Sequence, residues 1–160
     1  MDWLALLLKL GHVVAAFALV AGLMGRGIVL GRAYRSTDIE EQYLLAIGAM
    51  PFERAVRVGS ALVILLGFAT AWAQGYPWLG LTTPWLLVSM LLIVPMILFV
   101  PAIFIPRGRR FEAAMADARS RGIITPALRA AWHDRAVAFA RRYEWLATAL
   151  IVALMVLKPF

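Results

Sequence analysis

The chain predicts an all-α fold, a polytopic membrane four-helix bundle with amphipathic cytoplasmic helical connections. Three observations predict it. Hydrophobic residues make up 63% of the 160 positions, well above the roughly 45–50% typical of soluble globular proteins. The apolar residues gather in four stretches separated by three connections, and the arginines collect in only two of the three. Lipid supplies no water to the backbone, so apolar segments that cross it must close their hydrogen bonds internally as helices.

The first stretch, 3–29, includes "LALLLKLGHVVAAFALVAGLMGRG" and exceeds the roughly 20 residues that a spanning helix needs. Its leading residues carry the acidic Asp2, and no small-residue cleavage site follows a short apolar core, so the segment reads as a retained span rather than a signal peptide. The second and third stretches are 58–73 and 85–105. The fourth, 143–157, is short, and it lengthens backward if Arg141 and Arg142 snorkel to the interface.

Connection 30–57 is mixed in charge. Ser36, Thr37 and Asp38 are candidate caps for "IEEQYLLAIG", and Pro51 interrupts before the second span, so a short interfacial helix is expected. Connection 106–142 predicts a helix from Phe111, a break at Gly122, and a restart with Thr125 as cap and Pro126 in the first turn. Leu128, Trp132, Phe139 and Leu146 then recur at near-helical spacing, which predicts one long helix running into the fourth span. "QGYPWLGLTTP", between spans two and three, carries no charge.

Lys and Arg are retained on the cytoplasmic side. Both basic connections therefore face the cytoplasm and both termini face outward, in a multi-pass membrane protein. The formal charge of +7 is accounted for by a basic surface beside anionic lipids, with no nucleic-acid partner. The chain has no Cys, which excludes disulfides and thiolate chemistry. It also lacks a Gly-rich phosphate loop, an H-E-x-x-H pair and a Ser/His/Asp set on one side of the membrane, so no catalytic residue is assigned. Asp134 beside His133 lies among arginines and reads as a solvated charge.

Along the first span Gly11, Ala15, Ala18, Gly22 and Gly25 recur at steps of four and three, and Gly27 with Gly31 extends the series. Small side chains let helix backbones approach in lipid, so this face predicts close packing in the bundle or against a partner protein or second copy. In the third span Pro95 and Pro101 each remove a donor and predict a kink.

The ionisable groups at depth are the candidate functional residues. At ~1.5 Å per residue, Lys9 lies roughly 7 Å and His12 roughly 12 Å below the outer face of a ~30 Å core. Lys9 reaches the interface by snorkelling. His12 is too short for that, and its roles are an interhelical hydrogen bond, a proton relay, or ligation of a metal or haem through a neutral ring nitrogen. His133 is far away in depth, so a haem would need a Met as its opposite ligand, with Met90 and Met96 the weak candidates, or His12 of a second copy, or an open position. Arg26 and Glu144 complete the intramembrane or interfacial polar set. Glu144 is expected to pair with Arg141 or with an Arg of the other connection.

"LLLKLGHVVAAFALVAGLMGR", the "QGYPWLG" turn followed by "PWLLVSMLL", and the terminal "LMVLKPF" resemble a family of bacterial four-helix integral membrane proteins defined only as a domain of unknown function. The resemblance implies four spans, with Lys9, His12 and Lys158-Pro159 as family features. More distantly, K-x-x-H followed by small residues is similar to copper-resistance D and protoporphyrinogen-oxidase-like haem proteins. That likeness implies His12 as a haem ligand. Two functional readings follow: a non-catalytic accessory or assembly subunit of a larger membrane complex, and a haem b redox protein. A small-molecule transporter using the proline kink is a third.

Overall fold

The computed structural model describes residues 3–159, so Asp2 lies outside the described residues. Among these every regular element is a helix. Helix α1 (Trp3–Arg35) is followed by the short α2 (Ile39–Gly48) and by α3 (Met50–Ala73). A turn of 3-10 helix at Pro77–Gly80 leads to α4 (Pro84–Phe99), which passes through a π turn at Val100–Phe104 into α5 (Ile105–Arg121). Helices α6 (Pro126–Trp132) and α7 (Arg135–Leu157) complete the chain.

Three stretches, Trp3–Arg35, Ile39–Ala73 and Pro84–Arg121, are long and apolar enough to cross a membrane by length and composition. Helix α7 has 23 residues, about 35 Å at the α-helical rise and enough for a ~30 Å core. It differs in carrying Arg141, Arg142 and Glu144 in its first half. Leu146, Leu150, Val156 and Leu157 are exposed along it, as are Leu7, Leu10, Val14 and Phe17 on α1 and Leu91, Val94, Ile97 and Leu98 on α4. A surface so apolar fits lipid contact.

The long helices pack as two antiparallel pairs, α1 on α3 and α4 on α7. The first pair closes over Leu19, Leu23 and Val56, the second over Trp85, Leu86 and Leu154. Tyr143 Oη donates to the Leu92 carbonyl at 3.1 Å and sets the register of the second pair. At the end where α1 begins and α7 finishes, Trp72 and Trp78 are exposed and Lys158 stands 5.6 Å from the Trp85 ring. An aromatic girdle of this kind belongs at a membrane interface.

At the opposite, arginine-rich end the connections build a small core of their own. Ile39, Met115, Ala118 and Leu128 are buried together, with Phe111, Tyr43 and Trp132 packed around them. The helix expected in 30–57 is present: Asp38 caps α2 by accepting from Glu40 N, and Pro51 occupies the first turn of α3. The break at Gly122 is also present, at φ +67°, a backbone that glycine adopts without penalty. Thr125 accepts from Leu128 N and caps α6, as expected.

Three expectations for the connections need correction. The helix after the third span does not start at Phe111, because α4 continues into α5 without interruption. The π turn has a wider bore than an α-helix, and it gives the Pro101 ring room where an α-helical turn would clash with the carbonyl four residues back. Nor does one helix join Leu128 to Leu146, since the chain breaks after Trp132 and Asp134 starts α7 by accepting from Ala136 N and Val137 N at 2.9 and 3.1 Å. Leu128 is fully buried while Phe139 and Leu146 are exposed, so the four residues form no common stripe.

Asp134 is accordingly a cap and not a merely solvated charge, and Arg107 Nε donates to both its oxygens at 3.0 and 3.1 Å. Burial alone would push this carboxyl up, but the bonds from Val137 N and Ala136 N and the Arg107 charge outweigh it and hold it below its ordinary value. A depressed carboxyl contributes stability that is fully present above its unfolded value of ~3.9 and lost as pH falls through the lower folded value. Asp134→Ala should cost about 0.5–2 kcal/mol, the usual range for a lost cap. Thermal unfolding at pH 7 and at pH 3 checks this, with a smaller difference between variant and wild type at the lower pH.

Candidate functional site

The site begins with backbone proximity. A Cβ on Gly22 would lie 3.0 Å from Phe52 O and Val56 N, and one on Gly59 would lie 3.0 Å from Leu19 N. A Cβ on Gly25 would run into the Phe52 ring, and one on Gly11 would touch Leu66 at 3.4 Å. Buried Ala15 completes the contact face on α1. Ala18 does not belong to it: it is exposed, and Leu19 is buried in its place. Steps of four and three drift around a 3.6-residue helix, and α3 covers only part of the arc. Gly27 and Gly31 likewise meet no neighbour within 4 Å.

Close approach of α1 and α3 brings polar groups together at two depths. Near the start of α1, His12 Nδ1 lies 3.0 Å from the Val63 carbonyl, with the ring over Gly67, where a Cβ would come within 3.1 Å of Cε1. A carbonyl only accepts, so Nδ1 carries the proton and Nε2 of the neutral ring keeps its lone pair. Lys9, three residues earlier, is exposed. Met90 and Met96 are half-buried on α4, whose long-helix partner is α7. Among the described residues no group of three or more His, Cys, Asp or Glu side chains is arranged to hold a metal ion.

The second polar centre lies deeper along α1. Arg26, 5% exposed, donates from Nη2 to Glu144 Oε2 at 2.5 Å. Its Nη1 stands 3.5 Å from Glu53 Oε2. Glu144 is 6% exposed, so both members of the principal pair are withdrawn from solvent. Arg141, one helical turn before Glu144, feels the charges of Arg26, Glu53 and Glu144, and its Nε is buried without a hydrogen-bond partner. Arg141 therefore does not snorkel free as expected; Arg142 is exposed.

Two guanidinium groups and two carboxylates thus form an electrically balanced cluster linking α1, α3 and α7. In low dielectric such a pair is held by its geometry, because each charge left alone would face a desolvation penalty of several kcal/mol. Glu144 pairs directly with Arg26, in the last turn of the first apolar stretch, and not with Arg141 or an Arg of connection 30–57. Glu53 is the member of this cluster that sequence reasoning did not single out. Its position one turn into α3, beyond Pro51, was the available signal.

The model of a protein family described as a predicted integral membrane protein, DUF2269, matches residues 6–159. No curated protein and no solved structure matches the chain.

Proposed function

We propose, from the premise that the chain belongs to the DUF2269 family of predicted integral membrane proteins, that it works as a non-catalytic membrane subunit that assembles with a larger complex. The observation that carries this reading is the use to which its buried charges are put. Arg26, Glu53 and Glu144 bind one another across three helices, and this is the chemistry of a scaffold. The fused α4–α5 helix and the small core of α2, α5 and α6 extend the scaffold past the bilayer on its basic side, where a partner has something rigid to hold. Extraction in a mild detergent, followed by native electrophoresis and mass spectrometry, is expected to show the chain in a particle with other subunits. Recovery of the lone monomer under gentle conditions would overturn the proposal.

One observation favours a second reading, haem b binding with His12 as an axial ligand. Ligating histidines commonly donate their other ring N–H to a carbonyl, which fixes the tautomer and ring orientation. His12 makes that bond to Val63, leaving Nε2 for a metal. The residues fit one axial position, with Met90 and Met96 on α4, which packs chiefly on α7, as the weak candidates for the other. A Soret band in haem-supplemented membranes that His12→Ala removes would support it, and colourless purified protein would dismiss it.

A further inference from the structure

We propose that a cleft at the arginine-rich end binds the phosphoryl group of a phosphate ester. The cleft, about 290 Å³ in volume, opens where the end of α1, the link into α2 and helix α6 meet, and Tyr34, Arg35, Thr37, Arg129, Trp132 and His133 line it. It stands apart from the buried ionic cluster, and its argument is independent of the subunit reading above.

Charge is the first ground. Most carboxylates at this end are already engaged: Glu41 with Arg32 at 3.7 Å, Glu40 with Arg119 at 2.8 Å, Asp117 with Arg121 at 2.9 Å and Asp134 with Arg107 at 3.0 Å. Asp38 is turned back onto Glu40 N as the cap of α2. Arg35 and Arg129, which reach the cleft from two different helices, have no carboxylate within 4.0 Å among the described residues. Two arginines from different helices lining one cavity supply guanidinium forks whose donors match phosphate oxygens.

Rigidity is the second ground. Gln42, 2% exposed, forms the floor: its Nε2 donates to Ser36 O at 2.8 Å and its Oε1 accepts from Trp132 Nε1 at 3.1 Å. Trp132 is wedged edge-on between Phe111 at 4.7 Å and Tyr34 at 6.1 Å. His133 Nδ1 donates to the Arg129 carbonyl at 2.8 Å, so in the neutral ring Nε2 accepts from the Tyr34 hydroxyl at 2.9 Å. A preorganised wall of this kind lowers the ordering cost of binding. Its aromatic faces suit the organic part of an ester better than a bare inorganic anion.

The position admits two sources of that ligand. Helix α1, 33 residues or about 50 Å long, outruns a ~30 Å hydrocarbon core by roughly 20 Å. The headgroup layers add only ~5–8 Å on each side, so an upright α1 carries the cleft past them to water-borne esters, and a tilted one brings it beside the headgroups.

The test uses the full chain in two arms. In phosphatidylcholine nanodiscs, calorimetry with glycerol 3-phosphate reads a soluble ester. In phosphatidylcholine:phosphatidylglycerol nanodiscs, native mass spectrometry reads retained anionic lipid. Saturable binding is expected in at least one arm, weakened tenfold or more in R35Q/R129Q and unchanged in R109Q/R110Q, whose arginines lie on α5 outside the cleft. The arm that responds identifies the source. Both cleft arginines are exposed, so the variant should fold, and an unchanged helical circular dichroism spectrum verifies this. No saturable binding in either arm, or equal loss in R109Q/R110Q, overturns the proposal.

Discussion

Arg26→Met is expected to lower the stability of the protein by about 3–5 kcal/mol, the range found when one partner of a buried ion pair is removed. The reason lies in what remains. Glu144 and Glu53 would face the Arg141 charge alone, with Glu144 still buried and its 2.5 Å donor gone. The double variant Arg26→Met/Glu144→Leu removes one charge of each sign and leaves Glu53 and Arg141 balanced. It should recover most of the loss, because apolar groups of similar volume often replace a buried pair at little net cost. Unfolding by a denaturing detergent in mixed micelles measures both variants. A single variant as stable as wild type would show that the cluster does not hold α1 to α7. A double variant no better than the single would show that shape, not charge, is what the site requires.

The second large effect is expected at the contact of α1 and α3. Gly59→Val places a branched side chain where even a Cβ would be 3.0 Å from Leu19 N and 3.1 Å from its Cα. Those are backbone atoms, which cannot rotate aside, so the helices must separate. Overpacking of this kind costs about 1–3 kcal/mol. Here it should also stretch the His12–Val63 and Arg26–Glu53 contacts. Gly27→Ala is the counterpart: with no neighbour within 4 Å, it should be neutral or stabilise by up to about 1 kcal/mol through helix propensity. Since the chain has no Cys, pairs of introduced cysteines carry spin labels without background. The distance between labels on α1 and α3 should increase in Gly59→Val and stay constant in Gly27→Ala.

Parts of this site were legible in the sequence, and the division has a physical pattern. Signals that act within one turn were readable: Asp38 before α2, Thr125 before Pro126, and Gly122 at the end of α5 each satisfy or release backbone groups a few residues away. Asp134 has the same chemistry and was missed, because the apolar spacing of Leu128, Trp132, Phe139 and Leu146 imitates one continuous helix. Arg26 and Glu144 were conspicuous singly as charges at the rims of apolar runs. Their partnership across 118 residues leaves no trace in local periodicity. The alternation of small residues on α1 identified a contact face, but placed Ala18 in it where Leu19 belongs.

By itself, then, the sequence determined that the chain is helical and at home in lipid. Both follow from unbroken runs of apolar side chains, which oblige the backbone to satisfy its own hydrogen bonds, and from arginines that segregate to one end. Only the tertiary structure decided which helices pair, that Arg26 takes Glu144 and Glu53, that His12 donates a hydrogen bond to the Val63 carbonyl, and that Arg35 and Arg129 line one cleft. Those outcomes depend on how two curved surfaces fit and on which charges are left to each other when water is excluded. Such contacts join residues remote in the chain, where neither propensity nor spacing carries information about the partner.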